Sequence, residues 1–269
     1  MNGSVKFAIA RAGLKFAGQL SSGIGIGWRN GFDSGLSLDY VYRNEPQGWS
    51  AFGRSIDKSY LNSIGWRGIR QRKANLEKVL CDLILKLHRE NCPVQILDIA
   101  AGAGRYVIDT ISAFPEIPIG ATLCDYKQEN VDAVRALADA SNLDGAVFAR
   151  RGDAFDRDSL GRIQPRATIG IVSGLYELFP SNDLVLTSLR GLAEAIEAGG
   201  YLIYTNQPWH PQLEFIANVL RNREGERWIM RRRTTGEMDE LVRTAGFAKI
   251  DMKIDQWGMF TVSVAQRAR

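Results

Sequence analysis

The spacing of hydrophobic residues changes repeatedly along the chain. From Ile69 to Arg89 leucines recur every three to four positions, which predicts an amphipathic helix that ends before Pro93. Beyond it, short apolar runs alternate with segments of helical period. The predicted strands are residues 94–99, 119–124, 146–149, 168–172, 201–205, 248–254 and 259–264. The predicted helices are residues 104–114, 128–140, 182–198, 211–222 and 234–245.

This alternation predicts an α/β fold, because strand–helix–strand repeats form a parallel sheet with helices on both faces. The last two runs are separated only by Asp255–Gly258, which predicts an antiparallel hairpin at one sheet edge. We therefore expect a Rossmann-like, doubly wound seven-stranded sheet. It is mostly parallel with an antiparallel C-terminal strand, and a helical or irregular extension precedes it.

The first 70 residues follow another pattern. Residues 1–27 have a helical period with interspersed cations, which indicates a helix packed on the protein's own body, on a membrane surface or as a lid. Residues 28–70 mix aromatic and charged residues without a clear period, which favours an irregular segment that forms a binding surface or covers the edge of the main domain. The expected domains are residues 1–70, an extension or substrate lid, and residues 71–269, a ligand-binding domain. Candidate substrate-binding residues in the first are Tyr40, Tyr42, Arg43 and Trp66.

Composition narrows the function classes. The chain has 269 residues, 45% of them hydrophobic, and a formal net charge of +4, which permits an anionic partner and makes nucleic acid an unlikely one. Three cysteines and two histidines show no metal-ligand spacing, so we expect no metal site. No apolar run approaches the ~20 residues that cross a bilayer, and cations interrupt the N-terminal apolar segment. The expected location is cytoplasmic, and the oligomeric state is left open.

A glycine turn follows the first predicted strand. Asp98 lies at the end of that strand, and Gly102 and Gly104 precede the next helix. Glycine lets the backbone approach a ligand, and a helix N-terminus offers unpaired N–H groups, so the segment predicts a cofactor cradle. A dinucleotide fingerprint would have a third glycine where Val107 stands.

Acidic residues lie at the end of the second predicted strand and just after the third, at the same edge of the predicted sheet. Asp125 ends the second strand and can accept ribose hydroxyls. Asp153 follows the third strand, where a carboxylate can bind an adenine amino group with Phe155 beside the base. Ser173 and Gly174 follow the fourth strand and face the same crevice.

This constellation resembles the class I S-adenosylmethionine-dependent methyltransferases over residues 70–269, with Ala100 in place of the first glycine of their motif. The resemblance implies S-adenosylmethionine as the cofactor, with residues 101–104 around its methionine moiety and Ser173 and Gly174 beneath its sulfonium. The N-terminal segments GFDSG and GWRGIRQRK are similar to those of a bacterial subgroup of methyltransferases that are sometimes fused to an α/β-hydrolase. The implied cofactor-binding residues are Asp98, Ala101, Gly102, Gly104, Asp125, Tyr126, Asp153, Ala154, Phe155, Ser173 and Gly174.

Candidate catalytic groups follow the fourth and fifth strands. Tyr176 and Glu177 come after the fourth, and His210 after the fifth. The unperturbed pKa of histidine suits a general base, although His210 beside Pro211 also fits a helix start. Asn206 and Trp209, next to His210, are further candidates for substrate binding.

Several functions remain open. The leading one transfers a methyl group from S-adenosylmethionine to a small-molecule or lipid-like acceptor. A second keeps the cofactor but performs cyclisation or alkyl transfer and releases methylthioadenosine. A nucleotide-dependent oxidoreductase is a third, against which the missing glycine at Val107 argues. A non-catalytic adenosyl-binding module is a fourth. Basic clusters at residues 67–73, 150–151 and 231–233 could bind phosphate or be solvated.

Overall fold

The computed structural model describes residues 3–268, with side chains from residue 5 onward. The outermost residues of the two predicted domains, 1, 2 and 269, lie outside the described residues. Within the described part, the chain divides into two compact units. Unit 1 comprises the chain up to Gln71 together with His210–Met230. Unit 2 comprises Arg72–Trp209 and the chain from Arg231 onward.

Unit 2 contains a seven-stranded sheet, counted over the described residues, in the order β3-β2-β1-β4-β5-β7-β6. Strands β1 to β5 pair in parallel, and β7 runs antiparallel to both β5 and β6. This arrangement confirms the predicted fold class, with β7 as the reversed strand. The strands are β1 Val94–Asp98, β2 Ile119–Asp125, β3 Val147–Arg151, β4 Ala167–Val172, β5 Ile196–Asn206, β6 Phe247–Ile254 and β7 Thr261–Arg267.

Helices occur throughout the described residues. In chain order they are α1 Gly3–Ala17, α2 Ser22–Asn30, α3 Gly35–Arg43, α4 Ala51–Leu61, α5 Ile64–Arg89, α6 Arg105–Ser112, α7 Gln128–Ala140, α8 Arg157–Gly161, α9 Asn182–Ala195, α10 Leu213–Val219 and α11 Thr235–Thr244. A 3₁₀ turn, Tyr176–Leu178, follows β4.

The central strands carry continuous apolar runs because both faces of the sheet are covered by helices. In β1, Ile96 and Leu97 are each almost completely buried, and Leu123 in β2 is buried beside them. The register pairs Asp98 with Leu123 and with Ile171. The carboxyl ends of β1, β2 and β4 therefore meet at one edge of the sheet, where open α/β folds bind their ligands.

The prediction of an irregular segment for residues 28–70 is wrong over much of its length. Ser34 caps α3 by accepting from the Ser37 N–H at 3.2 Å, and Ser50 caps α4 by accepting from the Gly53 N–H at 3.1 Å. Serine caps satisfy the free N–H groups that begin a helix. These short helices bury small and polar residues as well as apolar ones, Ser37 in α3 and Asp57 in α4 among them, so they lack a clean apolar stripe.

The predicted helix over residues 182–198 is also wrong at its C-terminal end. Helix α9 ends at Ala195, and β5 begins at Ile196, which is fully buried and pairs with Ala167 of β4. The Gly199-Gly200 pair, which is typical of a helix C-terminus, lies inside β5 instead. Tertiary pairing overrides local propensity here, as it commonly does for strands.

Candidate functional site

The turn between β1 and α6 depends on two glycines with positive φ angles, 57° at Gly102 and 70° at Gly104. A Cβ atom on Gly104 would lie 2.5 Å from Leu123 Cδ2, so the turn has no space for a side chain there. Gly104 is the N-cap residue of α6 and accordingly offers no side-chain cap. The backbone N–H of Ala101 donates to Cys124 O at 3.0 Å, which holds the turn against the end of β2.

Asp98 is completely buried under this turn. Its carboxylate accepts hydrogen bonds from the Tyr106 hydroxyl of α6 and from the Ala100 N–H. Burial raises the pKa of Asp98 to about 7. Asp98 therefore links β1, the turn and α6, and a role for it in binding a cofactor stays a prediction.

Asp125 lies at the carboxyl end of β2, next to the glycine turn. One oxygen, Oδ2, accepts from the Gly102 N–H at 3.0 Å. The other, Oδ1, accepts from the Lys127 N–H and from Asn130 Nδ2, both at 3.0 Å. A carboxylate has about four lone-pair positions, so these bonds orient Asp125 and leave capacity for a further donor such as a hydroxyl.

The loop after β3 places the exposed acid Asp153 two positions before Phe155, one ring of an aromatic pair. Asp153 Oδ1 accepts from the Phe155 N–H at 2.9 Å. The Phe155 ring packs edge-on against Phe179, with 4.5 Å between centroids. Ala154 is buried. Tyr126, which directly follows β2, is 43% exposed. A flat base can lie against such rings, with its amino group directed to the carboxylate.

Gly174 follows β4 in a left-handed conformation, with a φ of 71°. Its N–H donates to Thr205 Oγ1 of β5 at 2.8 Å, which joins the ends of two neighbouring strands. Half-buried Ser173 precedes it. A Cβ on Gly174 would lie 2.9 Å from Arg72 Nη2, so the guanidinium of Arg72 packs directly against this turn.

Arg72 and Glu177 form a buried ion pair that sequence reasoning did not identify. Arg72 Nη1 lies 3.4 Å from Glu177 Oε1, and the two side chains are 2% and 7% exposed. The guanidinium also lies over the Phe260 ring, 5.3 Å from its centroid. Glu177 Oε2 is buried and has no hydrogen-bond partner among the described residues. Glu177 was predicted as a catalytic candidate, but Arg72 carried no signal beyond its place in a basic helix.

Tyr176 and Asn206 have their polar groups engaged within the fold. The Tyr176 ring lies in the core, and its hydroxyl bonds Ser188 Oγ at 3.0 Å. Burial raises the Tyr176 pKa far above its usual value, which disfavours proton transfer at neutral pH. Asn206 Nδ2 donates to Arg233 O at 2.9 Å. Trp209, by contrast, is 45% exposed.

Arg233, from the third basic cluster, is a structural residue. It is 1% exposed, and its guanidinium donates to the carbonyls of Tyr176 at 2.6 Å and Phe179 at 2.8 Å and to Asn182 Oδ1 at 2.9 Å. These bonds fix the loop between β4 and α9. The expectation that this cluster as a whole is solvated or binds phosphate is therefore wrong for Arg233.

The remaining predicted residues belong to unit 1, in which Tyr40 and Trp66 are buried. The Tyr40 hydroxyl donates to Asp57, whose carboxylate also accepts from the Gly23 N–H at 2.8 Å. The Trp66 ring stacks on Trp228 at 6.2 Å. Tyr42 is half-buried, and the exposed Arg43 packs over the Tyr40 ring. Tyr40 and Trp66 thus have structural contacts, and a ligand role for either stays a prediction.

His210 also lies in unit 1, and its ring is 6% exposed. His210 Nδ1 accepts from the Gln212 N–H at 3.1 Å. In the neutral ring this geometry places the proton on Nε2, so that nitrogen is a donor. The role of His210 as a general base stays a prediction.

Other features of the described residues restrict where ligands can bind. Over these residues there is no group of three or more His, Cys, Asp or Glu side chains that could hold a metal ion. None of the described helices is both long and apolar enough to cross a membrane. A cleft of about 1090 Å³ in unit 2 is lined by the amino-terminal half of β2 and the loops around it. It contains none of the predicted cofactor residues and lacks a lining carboxylate.

Comparison with known proteins identifies the fold and the family. The family model described as "Putative methyltransferase" matches residues 2–267. YnbC, an uncharacterized protein of Escherichia coli (strain K12), is 52% identical over 262 residues, which make up 97% of this chain. The chain spans less than half of that relative, 45% of its length.

Two solved structures show the same fold at low sequence identity. A possible exported protein from Bordetella parapertussis aligns with a TM-score of 0.71 and 17% identity, over 88% of this chain and 80% of that one. Magnesium protoporphyrin IX methyltransferase from Synechocystis PCC 6803, solved with bound SAH, aligns with a TM-score of 0.57 and 13% identity. That alignment covers 89% of this chain and 98% of the other.

Proposed function

The chain belongs to the "Putative methyltransferase" family, and from this premise we propose that it transfers a methyl group from S-adenosylmethionine to a small-molecule acceptor. Family membership confirms the enzyme class that the sequence predicted. S-adenosylmethionine is the donor of the class I methyltransferases, whose fold the described chain shares. When bound, it supplies an electrophilic methyl group on a sulfonium.

The observation that carries this proposal is the link between Asp125 and the glycine turn. A hydrogen bond from Gly102 N–H to Asp125 Oδ2 joins the predicted methionine-binding loop to the predicted ribose-binding carboxylate. The turn itself admits no side chain at Gly104. Backbone approach and an oriented carboxylate are the features that a nucleoside carrying an amino-acid tail requires.

Asp153 and Phe155 extend this arrangement to the base. Asp153 is exposed and uses one carboxylate oxygen for the Phe155 N–H, so its other oxygen can accept from an adenine amino group. The Phe155 ring, held by Phe179, offers an apolar surface for the base. Tyr126 is the exposed aromatic residue at the end of β2 and can cover the ribose side.

Glu177 is the chain's best-placed carboxylate for the acceptor. Its Oε2 atom is buried beside the turn that follows β4 and has no hydrogen-bond partner among the described residues. A buried acceptor atom without a partner costs about 1–3 kcal/mol, so an arriving hydroxyl or amine would be favoured there. Arg72 orients Glu177 through Oε1 and so acts as a positioning residue.

The acceptor is proposed as a small or lipid-like molecule. Residues 1–70 are proposed as a substrate lid that binds it through Tyr40, Tyr42, Arg43 and Trp66. Asn206 and Trp209 are proposed to bind it as well, and His210 is proposed as a general base. Peripheral membrane contact of α1 is supported by Val5, Ile9 and Phe16, which share one helix face and are 48%, 60% and 65% exposed.

Cys81, Cys92 and Cys124 are free thiols, which supports a reducing compartment such as the cytoplasm.

Calorimetry with S-adenosylmethionine, S-adenosylhomocysteine and NAD tests the donor. We expect the first two to bind and Asp125→Asn to weaken them at least about tenfold, because a charge-assisted hydrogen bond is lost. Asp144→Asn, an exposed acid elsewhere in unit 2, is the control and should bind normally. Binding of NAD alone would overturn the assignment.

The reaction is tested by chromatography of the products formed from S-adenosylmethionine and a small-molecule fraction. S-adenosylhomocysteine as the product supports methyl transfer. Methylthioadenosine as the sole product would contradict it and indicate the alternative chemistry.

A further inference from the structure

Unit 1 contains a cationic cleft of about 500 Å³ that has no part in the proposed methyl transfer. It lies where the ends of α1 and α2 meet the loop of residues 221–225. The charged side chains that line it, among the described residues, are all cations: Lys15, Arg29, Arg221 and Arg223. Its volume falls within the range of small-molecule pockets.

Most of this positive charge is not neutralised within unit 1. Arg223 has a carboxylate partner, Asp33. Asp33 Oδ2 lies 3.8 Å from Arg223 Nη1, and Asp33 Oδ1 accepts a hydrogen bond from the Arg223 backbone N–H. No ion pair involves Lys15, Arg29 or Arg221 in the described part of the chain. Lys15 lies over the Trp28 ring, 5.6 Å from its centroid, which still leaves its charge available.

The walls of the cleft are closely packed. A Cβ on Gly31, whose φ is 88°, would lie 2.3 Å from the Arg223 backbone, and one on Gly18 would lie 2.9 Å from the Trp28 ring. The Phe32 N–H donates to Arg221 O at 2.9 Å, which ties the 221–225 loop to the end of α2. The cations therefore line a single cleft whose walls are fixed by close backbone packing.

A simpler explanation accounts for only part of this cluster. Lys15 and Arg29 are in the last turns of α1 and α2, where cations offset the helix dipole. Arg221 and Arg223 are on a loop outside the helices, so the dipole explanation does not apply to them. Neighbouring Glu224 is exposed and does not line the cleft.

We propose that this cleft binds the phosphate group of a small phosphate monoester or of a phospholipid headgroup. Phosphate carries about −1.5 to −2 charge at pH 7 and several acceptor oxygens, which match the guanidinium groups that line the same cleft. Lys15 and the three arginines would surround it, and Trp28 would contact the attached organic group. All residues of the proposed phosphate site belong to unit 1, so the proposal does not depend on which methyl donor the protein binds.

Calorimetry with inorganic phosphate and glycerol 3-phosphate, at constant ionic strength against chloride, tests the full-length protein. We expect saturable binding that Arg29→Gln and Arg221→Gln each weaken at least about tenfold. Arg54→Gln, an exposed arginine of α4 outside the cleft, is the matched control and should bind like wild type. Circular dichroism verifies folding. Lys15→Gln replaces any cleft variant that does not fold.

Vesicles of phosphatidylcholine with and without phosphatidic acid separate the two sources. Binding that requires phosphatidic acid and is lost in Arg29→Gln assigns a lipid headgroup. Binding of glycerol 3-phosphate without vesicle binding assigns a small ester. No phosphate binding beyond that of chloride, or an equal loss in Arg54→Gln, would overturn the proposal. Vesicle binding that survives both cleft variants, without phosphate binding, would overturn it too and point to the apolar face of α1.

Discussion

Arg72 and Glu177 are 105 positions apart in the chain and form a buried ion pair beside the turn that follows β4, with 3.4 Å between Nη1 and Oε1. Removing one partner of such a pair leaves an uncompensated buried charge. Replacing both partners by apolar residues of similar volume removes the desolvation cost as well. The ion pair therefore carries a desolvation cost in the fold, and its position beside the turn after β4 suits Glu177 for a role in the reaction.

We predict that Arg72→Met lowers the free energy of unfolding by about 3–5 kcal/mol. The double variant Arg72→Met/Glu177→Leu should recover most of that loss, because no charge then remains buried. Urea denaturation of wild type, both single variants and the double variant gives the coupling energy. Additive single effects would mean that the two side chains are not energetically coupled.

Glu177→Gln should separate chemistry from donor binding. Loss of a positioned proton acceptor typically slows a reaction about 10²–10⁴-fold, whereas the donor-binding residues are unchanged. Turnover is followed as S-adenosylhomocysteine release and donor affinity by calorimetry. Glu197→Gln, an exposed glutamate in β5, is the matched control. Unchanged kcat in Glu177→Gln would remove Glu177 from the reaction.

Gly104→Ala should damage the proposed donor site through the backbone. A left-handed conformation costs an alanine about 1–2 kcal/mol, and the new Cβ would meet Leu123 at 2.5 Å. We expect a lower midpoint of thermal unfolding and loss of stabilisation by S-adenosylhomocysteine. Gly145→Ala, where a Cβ meets nothing within 4 Å, should retain both. Equal behaviour of the two variants would contradict the close packing of the turn.

Asp98 should make stability fall as the pH rises. Burial raises its pKa from 3.8 to about 7, so the folded protein holds a proton that the unfolded chain releases near pH 4. The resulting stabilisation is fully present below about pH 4 and is lost as the pH rises through about 7, a difference on the order of 4 kcal/mol. Asp98→Asn should flatten this dependence in denaturation curves between these pH values. Asp144→Asn should keep it, and parallel curves for wild type and Asp98→Asn would refute the buried-acid explanation.

The sequence alone determined the alternating αβ order, the glycine turn after Asp98, the acid that ends β2 and the acid that follows β3. These features are local, because apolar period, turn glycines and strand-end acids depend on neighbours within a few positions. Helix α7 was predicted with its observed bounds, Gln128–Ala140, since its amphipathic pattern and its stop agree. The short helices α3 and α4 were missed because their buried faces include small and polar residues.

Only the tertiary structure decided which distant residues meet. The start of β5 at Ile196 depends on pairing with Ala167, and the Arg72–Glu177 pair depends on the position of Arg72 against the turn that follows β4. The structural role of Arg233 likewise required carbonyls from another loop. Burial, partner distance and charge compensation are properties of the folded arrangement, and a single sequence does not encode them position by position. The sequence therefore identified the glycine turn that we propose holds the donor, and the structure identified the buried Arg72–Glu177 pair beside the turn that follows β4.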